Sequence, residues 1–203
     1  MITNHEWIES QQEKEQINEN YNNLEKIKSE SIEKIDDNFE LVVDRLFMAM
    51  GNFEKIEAYM TLDGDMNPRN FAPGNSNQSK GRDGLVSYTD FELVLEATRR
   101  PLAHTSHWDH LDMESKNKQL GIIVFLDISK VDPNLWSKNK RKQNKGKPYF
   151  HLCDADFLFK LLKDQPNAFS KFKEFLADSE RIWRDETDYK IIEKKIITLI
   201  RQE

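Results

Sequence analysis

Residues 81–98 set the strongest constraint on how this chain can fold. Leu85-Val86-Ser87-Tyr88 and Phe91-Glu92-Leu93-Val94-Leu95-Glu96 have strand composition, and the short Thr89-Asp90 turn between them predicts an antiparallel hairpin. A polar turn, Gly81-Arg82-Asp83-Gly84, leads into it, and Glu96-Ala97-Thr98 closes it. Pairing the two runs brings Asp83 and Glu96 to the same end. Side chains alternate along a strand, so Glu92, Val94, Glu96 and Thr98 share one face while Phe91, Leu93, Leu95 and Ala97 share the other. The apolar face predicts a sheet anchored on a core, with the acids held on its opposite side.

Two carboxylates held close repel one another, and a protein that keeps such a pair usually builds it around a cation or uses it for proton transfer. Oxygen ligands of this kind suit magnesium. Beside a phosphodiester, a divalent ion polarises a phosphoryl oxygen, helps generate an attacking hydroxide and neutralises the leaving oxygen. Spacing alone leaves a second reading open, in which Asp83 belongs to the Arg82-Asp83-Gly84 turn and Glu96 is a solvated strand-end acid.

The order of an acid, a hairpin, and a second acid followed two places later by a polar residue, here Asp83 and then Glu96-Ala97-Thr98, resembles the PD-(D/E)XK nuclease motif. The helix-forming run from Asn38 to Gly51 resembles the helix ahead of the core in the cleavage modules of type IIS restriction endonucleases related to AlwI and to the nicking endonucleases. Asn70-Phe71-Ala72-Pro73-Gly74 then precedes the acidic strand, and Leu120-Gly121-Ile122-Ile123-Val124-Phe125-Leu126 is similar to the later core strand. The resemblance spans about residues 38–165 and rests on order and spacing more than on identity.

That resemblance implies an α/β fold, a mixed β-sheet flanked by helices with N- and C-terminal helical extensions. It implies Asp83 and Glu96 as ligands of Mg2+, with Mn2+ as a substitute, and Glu40 as the helical acid that completes the site. Thr98 stands where many such enzymes carry a Lys that assists the attacking water, which leaves the general base unassigned. Arg100 points the way of Thr98 on an alternating strand, and a guanidinium there serves as a phosphate contact rather than a base. His110-Leu111 matches a His in the helix after the second acidic strand, which places His110 near the scissile phosphate.

His104, His107 and His110 recur every third residue, so a zinc site with Asp109 or Asp112 and an exposed polar helix are the other readings of this segment. Trp108 reads as a packing residue. The single Cys153 excludes an internal disulfide and a Cys-rich zinc module, and its apolar context predicts a buried, inert thiol. With 203 residues, 33% of them charged, the chain is long enough for one domain with a real core. No apolar run approaches a membrane span and the acidic start is unlike a signal peptide, so the expectation is no membrane partner and a bacterial cytoplasmic location.

A net charge of −6 is awkward for binding a phosphate backbone. The exception is the run from Lys138 to Lys147, with six positive residues. It reads as a loop that tracks phosphates close to the cleavage site through Lys140, Arg141 and Lys142, or as a solvated loop between strands.

Helical periodicity fills the rest. Ile17, Tyr21, Leu24, Ile27 and Ile35 make a narrow stripe in a charged N-terminal extension, residues 1–37. Phe39, Val43, Leu46, Phe47 and Met50 make a buried face that Gly51 terminates, with Glu40 and Asp44 on its flank. Residues 62–81, rich in Gly, Pro and Asn, read as an irregular excursion. Gly121 to Ile128 and Tyr149 to Leu152 read as further strands, and Asp154 as the cap of a helix. The nuclease core is placed at 38–165. Helices at 166–203, one opened by Pro166 and the last burying Ile192, Ile196, Leu199 and Ile200, pack on it as part of one domain.

The expected activity is magnesium-dependent hydrolysis of one strand of duplex DNA. No helix-turn-helix or zinc-finger motif is recognisable, and with that absence the resemblance implies the small cleavage subunit of a heterodimeric type IIS enzyme whose larger subunit recognises DNA. The competing readings are a nuclease of the same superfamily in transposition, repair or phage defence, and a non-enzymatic helical interaction protein whose acids are all surface residues.

Overall fold

The computed structural model describes residues 37–52, 55–58, 83–99, 118–147, 149–163 and 167–202. The N-terminal stripe, the excursion at 62–81, Arg100, the histidine segment and Pro166 lie outside them. In chain order the elements are α1 (Asp37–Met50), β1 (Lys55–Ala58), β2 (Gly84–Ser87), β3 (Glu92–Thr98), β4 (Gln119–Phe125), a 3-10 turn (Ile128–Lys130), α2 (Pro133–Asn144), β5 (Phe150–Asp154), α3 (Ala155–Lys163), α4 (Ala168–Asp185) and α5 (Tyr189–Gln202).

The strands form one mixed sheet in the order β1-β2-β3-β4-β5. β1, β2 and β3 are antiparallel neighbours, while β3, β4 and β5 run parallel. Register gives the sheet two distinct sides. Leu95 lies beside Ile122 and His151, and Ala97 beside Val124 and Cys153. On the other side Glu96 lies beside Ile123 and Leu152, and Thr98 beside Phe125 and Asp154.

Helix α1 packs against β3 and α3, burying Phe39, Val43, Leu46, Phe47 and Met50 with Leu93, Leu95 and Ala97 in the main core. It stops at Gly51, whose φ of 69° is the left-handed conformation expected of a C-terminal glycine. Aromatic contacts tie in the later helices: Phe47 meets Phe172 edge-on at 5.4 Å, and Phe157 meets Phe175 at 4.7 Å. The Asp154 carboxylate accepts the Phe157 N–H at 3.0 Å, the expected cap of α3. Ile192, Ile196 and Ile200 are buried along α5, whereas Leu199 is half-buried.

The run expected as a basic loop is instead mostly helix, since α2 continues to Asn144. Asp132 caps it by accepting the Asn134 N–H at 2.7 Å, and Pro133 occupies the first turn. Leu135 and Trp136 are buried, and Trp136 stacks on Trp183 at 5.9 Å. The Asn139 amide then binds both main-chain groups of Phe150, donating to its oxygen at 2.7 Å and accepting its N–H at 2.9 Å. A side chain thus does for the start of β5 what a further strand would do.

Replacing Asn139 by Ala removes two buried hydrogen bonds to the Phe150 main chain, and should lower unfolding stability by about 2–4 kcal/mol in urea titration. A loss below about 1 kcal/mol would contradict this account of the edge.

His151 is buried with Nδ1 and Ser179 Oγ 2.8 Å apart in a hydrogen bond, and burial, aided by Lys118, pushes its pKa from 6.5 down to about 4. Between those values the unfolded chain takes up a proton that the folded chain refuses, so stability falls as pH drops through that window. The contribution is at most about 3 kcal/mol. Asp154, whose carboxyl is raised by burial, works in the opposite sense. The difference between wild type and His151→Gln is therefore the readout, and the variant should show the flatter stability profile between pH 6.5 and 4. Parallel profiles would contradict the assignment.

Candidate functional site

The hairpin is fixed at its closed end by the core. Tyr88 donates its N–H to the Phe91 oxygen at 2.8 Å, and the Tyr88 ring packs 4.8 Å from both Phe91 and Phe169. The open end carries the acids. The last ladder pair is Gly84 with Leu95, and Asp83 lies one residue beyond it, in the bend that leads into β2, while Glu96 follows Leu95 on β3. The Asp83 N–H donates to the Leu95 oxygen at 3.2 Å, and the Asp83 carboxylate accepts the Ala97 N–H at 2.7 Å.

Asp83 is half-buried, whereas Glu96 is only 1% exposed. That burial argues against Glu96 as a solvated strand-end acid. A carboxylate taken out of water needs cationic or hydrogen-bonding partners, and a second carboxylate beside it increases that need. Below the pair on the same face, Leu85 and Val94 are buried cross-strand neighbours that give it an apolar floor.

Glu40 is half-buried on α1, the helix that packs across β3, and Thr98 is buried two residues beyond Glu96. Among the described residues no group of three or more His, Cys, Asp or Glu side chains is arranged to hold a metal ion. The described geometry therefore ties Asp83 to the strand position next to Glu96 and does not add Glu40 to them as a three-acid cluster. Two carboxylates still fit magnesium, which typically binds through one or two protein carboxylates, several waters and substrate phosphates rather than an all-protein cage. His110 and Arg100 lie outside the described residues.

Lys140 is corrected from phosphate contact to buried anchor. It is 5% exposed, and its ammonium donates to Gln143 Oε1 and to the Trp183 oxygen, both at 2.7 Å. Desolvation draws its pKa below the usual lysine range, partly opposed by Glu186. Arg141 is exposed and Lys142 half-buried in the last turn of α2. Because α2 runs back from the C-terminal end of β4 to the start of β5, this basic end is also remote from the acids, contrary to the sequence expectation.

Sequence reasoning also missed a charged group at the C-terminal ends of the parallel strands. Arg201 Nη2 lies 3.0 Å from the buried Asp154 Oδ2 and 4.0 Å from Asp127 Oδ1, and Lys130 lies 3.3 Å from Asp127 Oδ2. Asp127 also accepts from the Ser129 N–H and hydroxyl at 3.0 and 2.6 Å. These contacts fasten α5 to the side of the sheet that carries Glu96 and Thr98. No local motif announces them, since Arg201 comes from the last turn of a distant helix.

The acid-bearing hairpin, the parallel β3–β5 segment and the flanking helices make up a restriction-endonuclease-like α/β fold. The chain is similar to the small subunit (R.BspD6I2) of the heterodimeric restriction endonuclease R.BspD6I, known from a crystal structure. The TM-score is 0.60 at 18% sequence identity, and the match covers 93% of this chain and 98% of that one. No protein-family model matches, and no curated protein matches. Among the described residues no helix is long and apolar enough to cross a membrane.

Asp83→Ala removes the acceptor for the Ala97 N–H and should cost about 1 kcal/mol, whereas Asp83→Asn keeps an oxygen there and should be nearly neutral. Chemical denaturation of the two variants checks this, and equal losses would mean that the hydrogen bond does not hold the acid in place.

Proposed function

We propose that this chain is the small, strand-cleaving subunit of a heterodimeric type IIS restriction endonuclease, in the branch related to AlwI and the nicking endonucleases. It acts in the bacterial cytoplasm with a larger subunit that recognises the DNA sequence. The single observation that carries this reading is the tie of the Asp83 carboxylate to the Ala97 N–H, next to the buried Glu96, in a chain folded like the small subunit of R.BspD6I.

Asp83 and Glu96 hold the divalent cation, magnesium in the cell and manganese as a substitute, and Glu40 assists from α1. Once bound, the cation supplies Lewis-acid stabilisation of charge on the phosphoryl group. The protein positions the scissile phosphodiester. The Ala97 N–H fixes one Asp83 oxygen. Thr98 borders the site where other PD-(D/E)XK enzymes place a Lys, and His110 orients a phosphate or water. In the hydrolysis a water oxygen bonds to phosphorus, one P–O ester bond breaks, the water gives up a proton and the leaving oxygen gains one. The group that takes the water proton is unassigned. Arg100 and Arg141 hold backbone phosphates, with Lys142 beside them.

Supercoiled plasmid supplied with manganese should be nicked by the wild-type chain and not by Asp83→Asn or Glu96→Gln, a loss of at least about 100-fold. Circular dichroism should show both variants folded. Nicking that persists in both folded variants would overturn the reading.

A further inference from the structure

The cations at the end of α2 are held on an ordered turn. The Lys147 N–H donates to the Lys142 oxygen at 3.0 Å and the Gly146 N–H to the Gln143 oxygen at 2.9 Å, with Gly146 at a φ of 64°. This double hydrogen-bond pattern is a Schellman turn, which needs a residue in the left-handed region where Gly146 stands. Arg141, Lys145 and Lys147 project from it as exposed side chains, and among the described residues they form no ion pair.

The negative end of a helix dipole favours cations in its last turn, and that alone accounts for Arg141. It does not call for two further unpaired lysines just past the helix, in a chain of net charge −6. The position of the turn matters as much as its charge. Glu96 stands in line with Leu152, while Phe150 is nearer the N-terminal edge of the sheet and Lys147 lies beyond it. At 3.3 Å per residue and about 4.8 Å per strand, the acids and the turn are roughly 15–20 Å apart. Helix α2 packs on α5, and its basic end is anchored where the Lys140 ammonium, one residue before Arg141, donates to the Trp183 oxygen of α4.

We propose that Arg141, Lys145 and Lys147 form a second contact with duplex DNA, gripping backbone phosphates about half a helical turn from the cut. The separation equals about five base pairs at 3.4 Å each, so a duplex lying across the site reaches the turn without bending. This contact deepens the nuclease reading and rests on it. It supplies the attraction for phosphate that the net charge lacks, and it does so without touching the reacting phosphate.

The test is fluorescence anisotropy of the full chain with a labelled 20-base-pair duplex over a salt series, comparing wild type, Asp83→Asn and the triple variant Arg141→Gln, Lys145→Gln, Lys147→Gln. Each lost phosphate contact makes the slope of log K against log salt shallower by about 0.9, so the triple variant should lose roughly 2 to 3 units of slope. Asp83→Asn should keep the wild-type slope. All three substituted side chains are exposed, so thermal melts should be unchanged. An unchanged slope in the triple variant, or a wild-type chain that does not bind the duplex, overturns the contact and leaves an acidic protein partner as the better occupant. If the slope falls as expected but Asp83→Asn still nicks plasmid, the second contact stands and the assignment of the acids fails.

Discussion

The hydrogen bond from the Ala97 N–H to the Asp83 carboxylate is the contact on which the functional account depends. It sits one position past the last strand pair of the hairpin, where chain ends normally fray, and it fastens the acid to the neighbouring strand. With that contact the Asp83 carboxylate is held at the strand position next to Glu96. Without it, the residue would be one more polar group in a glycine-flanked turn. Register does the rest, because a slip by one residue would move Glu96 into the apolar core.

The two halves of the sheet are built for different tasks. β4 and β5 run parallel as nearly continuous apolar segments, covered by helices and closed at the start of β5 by the Asn139 amide. This half is rigid scaffold. β2 and β3 form the antiparallel half, apolar on one face and acid-bearing on the other, and they project their functional groups from a strand that the scaffold holds in register. Arg201 fastens the last helix to this scaffold through Asp154, in the same register row as Thr98.

Much of this was legible in the sequence wherever local periodicity and burial agree. The alternation from Phe91 to Ala97, the stripe of α1 with its Gly51 stop, the cap at Asp154 and the apolar faces of α4 and α5 were all readable. Helix α2 was not read as a helix, because its charged residues form helices well without an apolar stripe to reveal them, although Asp132-Pro133 is a usable start signal. The burial of Lys140 depends on the Trp183 carbonyl, 43 residues away, and no spacing rule reaches that far. For the candidate site, the arrival of Asp83 and Glu96 at the same end of the hairpin follows from hairpin pairing alone. The relation of Glu40 to them depends on how α1 crosses the sheet, which local sequence does not encode.

The central claim is that Asp83 and Glu96 are kept together to hold a divalent cation. Manganese-soaked crystals of the full chain, measured for anomalous scattering, test it without requiring turnover or a partner. The account predicts a peak between the Asp83 and Glu96 carboxylates, toward the side from which Glu40 approaches. A peak confined to His104, His107 and His110, or none at the acid pair at saturating manganese, would contradict it.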